Sequence, residues 1–320
     1  MTSPSDRWPA LRYGDWKDTA ETLQLWTQIA GKIRLARTPW LNHSWHVTFY
    51  VSPRGLTTGP IPDVAGSLAR TFSLEFDFLD HALIILISDG HTRQVMLRPV
   101  TVAQFYDEVM LALRELGIEV AIKATPNEVA NPVPFAQDTV HKSYDAEYAQ
   151  RFWRVLSAAS HVMMEFRSSF LGKVSPVHFF WGSFDLAVTR FSGRRAPRHP
   201  GGVPALPDDV AREAYSHEVS SAGFWPGGGL SPYTEAAFYS YAYPAPGGFA
   251  EARVKPAEAL WHKELGEFLL PYEEMRGSSD PDRMLMEFLV STYEAAADLG
   301  KWDRAALECE IGRPGKVRPA

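Results

Sequence analysis

The chain has 320 residues, 45% hydrophobic and 22% charged, with a formal charge of −6 at pH 7. This is ordinary globular usage, enough to build a core without staples, and the net acidity argues against a nucleic-acid partner, which needs a basic face. The single cysteine, Cys309, allows no intramolecular disulfide, and the longest near-continuous apolar run, Ala82–Ile87, is too short to span a bilayer.

In chain order, Asp15–Arg37 reads as a helix. Trp16, Leu23, Trp26, Ala30 and Ile33 recur at helical spacing, with Asp15 as N-cap and Pro39 as the stop. His46–Ser52 alternates like a half-buried strand, and a Pro/Gly-rich connection runs from Pro53 to Gly66. Thr71–Phe78 alternates cleanly, with Phe72, Leu74, Phe76 and Phe78 on one face. Ala82–Ser88 and Gln94–Leu97 flank the hairpin signal Asp89-Gly90. Thr101 and Gln104 form a capping-box pattern before a helix carried by Val102, Phe105, Val109, Ala112 and Leu116. Ile118–Ala124 reads as a short strand, and prolines then break all periodicity over residues 125–145.

Glu147–Phe170 reads as a helix with apolar residues on more than one face, which marks it as central. Val177–Phe191 reads as one long strand, followed by strands over Ala214–Phe224 and Ala236–Tyr243. Asp280-Pro281 opens the last long helix, and Gly300 closes it. Helix, strands and helix thus recur in one order twice, and Trp45-His46-Val47 matches Val177-His178-Phe179 in place. The expectation is an α+β fold of two pseudo-repeated lobes of helix plus mainly antiparallel sheet. The lobes would be residues 1–126 and 147–320, joined by 127–146 and packed as one unit. Met1–Arg7 has no apolar core for a signal peptide, so the expected compartment is the cytoplasm, without membrane association.

Five stretches carry a family resemblance: LNHSWHVTFYVSPRGLTTGPIP from Leu41, FDFLDH from Phe76, SPVHFFWGSFDLAVTRFSGR from Ser175, AYSHEVSSAGFWPGG from Ala214 and FYSYAYP from Phe238. The chain resembles uncharacterised bacterial proteins of domain-of-unknown-function family 5996. That resemblance implies one architecture over nearly the whole chain. It implies no chemistry, because the family carries no assigned activity.

Candidate chemistry comes from polar residues inside apolar strands, where burial is costly without a partner. His43 and His46 are spaced as HxxH, but two ligands make half a metal site and no third stands at a telling spacing, so no metal and no cofactor is expected. His46, His178 and His217 are the candidate acid–base residues, imidazole being the side chain that titrates near neutral pH. Asp185, Arg190, Arg194, Glu218 and Tyr241 are the candidate ligand-binding residues. A guanidinium fork suits an anion, and a structural Asp185–Arg190 pair stands as the alternative. Convergence requires a bend near Gly182, since His178 and Arg190 otherwise lie far apart on one strand. Gly227-Gly228-Gly229 suits a mobile flap or a plain surface turn. Two functions compete: a pocket for a small polar or anionic molecule, and a non-catalytic protein-contact module built on the many aromatics. The oligomeric state is not legible.

Overall fold

The structure, a computed structural model, describes residues 7–63, 70–203, 206–229 and 231–318. The Met1–Asp6 part of the terminus and residues 64–66 of the first connection lie outside the described residues. The fold is α+β, with two wholly antiparallel sheets.

The first half opens with α1 (Tyr13–Arg37). Then come β1 (Tyr50–Ser52), β2 (Gly55–Thr57), β3 (Ile61–Asp63), β4 (Arg70–Asp77), β5 (Ala82–Ile87), β6 (Thr92–Met96) and α2 (Val102–Glu115). The sheet order is β1-β2-β4-β5-β6, with β3 also paired to β4. The second half opens with α3 (Ala146–Ser168), β7 (His178–Phe180), β8 (Asp185–Arg195), α4 (Asp208–Ala214), β9 (His217–Trp225) and β10 (Ala237–Tyr243). It closes with β11 (Leu260–His262), β12 (Glu267–Pro271), α5 (Tyr272–Arg276), α6 (Pro281–Leu299) and α7 (Arg304–Leu307). Its sheet order is β11-β12-β10-β9-β8-β7. A long helix, a meander of strands and a closing helix therefore occur in the same order in both halves. The halves meet edge to edge, where Phe49 and Phe179 exchange backbone hydrogen bonds of 2.8 and 2.7 Å. No described helix is long and apolar enough to cross a membrane.

Local chemistry explains the helix ends. Thr101 accepts from the Gln104 amide and Asp280 from the Arg283 amide, each satisfying an orphan donor of a first turn. Asp15 is not the cap of α1, which begins two residues earlier. Thr38 takes extended angles because Pro39 disfavours the helical region before it.

The central helix is α1, not α3. Most of α1 is buried on all sides, including Gln28, Lys32 and Arg34. Trp26 stacks on Phe105 of α2 at 4.4 Å, while Trp16 meets Phe152 of α3 at 5.3 Å. Each such aromatic contributes roughly 2–3 kcal/mol by leaving water. Three strand expectations need correction. The expected long strand Val177–Phe191 is two strands, β7 and β8, joined by a tight turn in which Phe184 is left-handed (φ 62°). The expected strand from His46 starts only at Tyr50, and Ile118–Ala124 is irregular. Gly227 and Gly228 are buried against Tyr13, and the Gly228 amide donates to the Thr234 carbonyl at 3.0 Å, so this run is a packed turn rather than a flap.

Candidate functional site

Alternation gives each strand of the second sheet two faces. Phe224, Phe238 and Leu270 point into the core beside α6. The opposite face carries Asp185 and Thr189 of β8, Ser221 of β9, Tyr239 and Tyr241 of β10, and Glu267 of β12. These residues line a cavity of about 710 Å³. Lys32 of α1, Trp45, Val47 and residues 121–123, 127 and 128 of the connecting chain belong to the same lining.

The polar floor depends on close approaches that only glycine permits. Tyr239 on β10 reaches across β9 at Gly223, and its hydroxyl donates to Asp185 on β8. A Cβ at Gly223 would lie 2.4 Å from that hydroxyl and 2.4 Å from the Leu186 carbonyl oxygen. Gly223→Ala is therefore expected to cost about 1–3 kcal/mol in urea melts, as overpacking does. A stability equal to wild type would show that Tyr239 does not lie over Gly223. The Ser183 hydroxyl also donates to Asp185.

Glu128 arrives from the connecting chain. Gln28 of α1 clasps the Asn127 backbone at both ends, with bonds of 2.7 and 2.8 Å. Glu128 follows in the left-handed region (φ 53°), a costly conformation for a side-chain-bearing residue. Its carboxyl occupies the place where Gly182 lacks a side chain, with Oε1 2.2 Å from the position of a Cβ there. The Gly182 turn is itself pinned to α1. Gln24 donates to the Gly182 carbonyl at 2.8 Å, Trp181 packs on Gly31, and the Trp181 indole donates to the Val47 carbonyl at 2.7 Å. Gln24, Gln28 and Lys32, each four residues on, thus form one polar stripe of α1 that builds this wall.

Three carboxyls on the floor repel one another in an apolar surrounding. Burial, and then the Asp185 charge, raise Glu128 and Glu267 from 4.5 to about 7. Burial raises Asp185 as well, against the opposing pull of its bonds from Ser183 and Tyr239. Burial also raises Tyr239 and Tyr241, and lifts Tyr215, which donates to the Tyr241 hydroxyl at 3.0 Å, to about 12. None of the three carboxyls forms a salt bridge to a described basic residue, since Asp185 is bonded by hydroxyls and the charge acting on the other two is that of Asp185. No described cluster of His, Cys, Asp and Glu has metal-binding geometry. Glu128 and Glu267 therefore titrate near neutral pH and can exchange protons there.

The sequence model of a family of unknown function, DUF5996, matches residues 8–309. The chain belongs to that family. No curated protein and no solved structure matches it. In this DUF5996 chain, Asp185 and Tyr241 are the sequence-predicted residues that line the cavity. His46, His178, His217, Arg190, Arg194 and Glu218 do not line it. His178 is fully buried, bonds Thr48 at 3.0 Å, and is lowered to about 3 by burial and then by Arg34, so it stays neutral at physiological pH. His46 accepts from the Leu41 amide at 3.2 Å through Nδ1. His217 meets Ser216 and lies 6.3 Å, ring to ring, from His43. Arg194 pairs with Glu218 at 2.6 Å and donates to the Gly300 carbonyl at the end of α6. Asp185 and Arg190 occupy opposite sheet faces and do not pair. Glu128, Glu267 and Lys32 also line the DUF5996 cavity without having been expected. A signal for Lys32 was its place four residues after Gln28, between the apolar Ile29 and Ile33. Nothing local in the sequence marks Glu128 or Glu267.

Proposed function

We propose that the cavity binds a small amphipathic molecule whose amino group, or similar cluster of hydrogen-bond donors, meets Glu128, Asp185 and Glu267, and that Glu128 and Glu267 exchange protons with it. One observation carries this reading: three carboxyls from three separate elements share an apolar-walled cavity without a basic partner among the described residues. Desolvated carboxylate charge without a salt-bridge partner is costly, and a cationic ligand that reaches these carboxyls offsets that cost. Tyr239, Tyr241, Trp45 and Trp181 add aromatic walls that suit an organic cation. The sign is opposite to the anionic ligand that the arginines of β8 suggested. The protein-contact alternative loses its main support. Among the described residues the aromatic side chains are buried or half-buried except Trp40, which itself borders the cavity.

Thermal shift with benzylamine, tyramine and hexylamine, set against benzyl alcohol and benzoate, tests the reading. The amines are expected to raise Tm, and a hundredfold excess over Kd adds about 2.7 kcal/mol. The rise should vanish in the Glu128→Gln/Glu267→Gln double variant. A rise with benzoate alone would overturn it. We also read the two halves, divided at 1–126, 127–146 and 147–320, as an internal duplication, in which the second copy kept its outer sheet face covered and used it for the cavity. The repeated element order supports this. A cytoplasmic location is proposed on the single cysteine.

A further inference from the structure

Lys32 is the buried amine of the cavity, 4% exposed. Lysine is almost never buried this fully without a charge partner. Here the bonded partner is the neutral Asn127 side-chain oxygen, and the nearby charge is another cation, Lys123. The Trp181 ring, 5.8 Å from Nζ, offers only a modest attraction for the ammonium form. Burial, and then Lys123, accordingly lower the amine from 10.5 to about 8. Asn127 is fixed through its backbone by Gln28, so Lys32 is held rather than free to swing. The next residue in the chain, Glu128, supplies a carboxyl that burial raises to about 7, so part of it carries a proton at neutral pH. A desolvated lysine beside a second cation is the arrangement that activates an amine toward carbonyl compounds.

We propose that Lys32 captures a small amphipathic aldehyde or ketone in this cavity as a Schiff base. The inference rests on the cavity being a small-molecule site and names the ligand's reactive group. The Nζ lone pair adds to the carbonyl carbon, and the π pair moves to oxygen. Transfer of the ammonium proton to that oxygen gives a carbinolamine. Glu128 protonates the hydroxyl, the C–O bond breaks, and water leaves. The products are a protonated imine on Lys32, one water and the Glu128 carboxylate. No oxidant or reductant is consumed.

The test is borohydride trapping on the full chain with 4-hydroxybenzaldehyde, hexanal and cyclohexanone, followed by peptide mapping. At pH 7.5 an amine titrating near 8 carries its free-base form roughly a hundredfold more often than an ordinary lysine near 10.4. Lys32 should therefore label at least about tenfold faster than the exposed Lys263 and Lys316. Lys32→Arg should lose that label, and Glu128→Gln should slow it while leaving the amine accessible. Labelling of Lys32 no faster than of Lys263 overturns the proposal. Stabilisation by benzylamine without any Lys32 adduct would refute the Schiff base and leave the cavity reading standing; a Lys32 adduct without amine stabilisation would support the Schiff base and sink the carboxylate reading. Should Lys32→Arg fail to fold, reductive ¹³C-methylation of the wild-type chain gives a second readout. Its Lys32 methyl signal should titrate near 8, and titration above 10 would refute the proposal.

Discussion

Replacing Glu128 and Glu267 together by glutamine will raise Tm above pH 8 and leave it unchanged below pH 4.5. Each carboxyl stands near 7 in the fold, against 4.5 for an unhindered glutamate. Between those values the folded chain keeps protons that the unfolded chain has released. Folding therefore takes up protons in that window, so stability is greatest on its acid side and falls as pH rises through it. Above about pH 8 both states are deprotonated and the full cost of the buried charges is felt. Gln carries no charge and retains the shape of the protonated acid, so the variant escapes that cost. The expected gain at pH 8 is about 2–4 kcal/mol for the pair, discounted because both side chains touch the cavity. His178 acts in the opposite sense. Held neutral down to about 3, it costs stability as pH falls from 6.5, where the unfolded chain gains its proton. That contribution is common to both proteins and cancels in the difference. Calorimetry from pH 4 to 9 decides the matter. A variant less stable than wild type at pH 8 would show that the two carboxylates are satisfied as charges.

The fold was legible where one physical rule governed an element. The β4 alternation placed Phe72, Leu74, Phe76 and Phe78 inside, and all four are buried. Asp280-Pro281 fixed the start of α6, because a capping acid followed by a proline has few other uses. Val177–Phe191 misled because its apolar residues continue through the turn. Trp181 and Phe184 are buried by packing on α1 and α3, not by strand pairing, and periodicity cannot distinguish the two causes. The ranking of the long helices failed for a related reason. A helix buried on every side needs no apolar stripe, and α1 carries its polar residues inward to hold the connecting chain.

The candidate cavity was legible at two residues. An aspartate in an apolar run announced a cost, and Asp185 and Tyr241 do face the cavity. The expected partners were wrong in kind. Charge complementarity suggested arginine, whereas Asp185 takes hydroxyls from Tyr239 and Ser183. Glu128 stands in a proline-broken segment and Glu267 on the short β12, where a glutamate ordinarily means solvent. Only the long-range fold brings them beside Asp185.

Arg190→Ala is expected to destabilise the fold by about 3–5 kcal/mol, the range for losing one buried, hydrogen-bonded charged side chain. Parity places Arg190 on the face opposite Asp185, among the helices. Its guanidinium carbon lies 3.5 Å from the Phe166 ring centre and 4.3 Å from that of Tyr293. It donates to the Phe166 carbonyl, and to the Ser169 hydroxyl at 2.9 Å. Phe166 lies in the last turn of α3, where carbonyls lack helical partners and the helix dipole is negative. Arg190 thus closes α3 while stacking between two rings, which requires a planar cation. Lysine can reach one acceptor and cannot stack, so Arg190→Lys should still cost about 2 kcal/mol. Neither change should alter amine binding in the cavity beyond the loss of folded protein, because the side chain lies across the sheet from it. Urea melts, with benzylamine titrations on the folded fraction, read both effects. An Arg190→Lys protein of wild-type stability that binds benzylamine poorly would return Arg190 to the ligand site and remove it from the helix end.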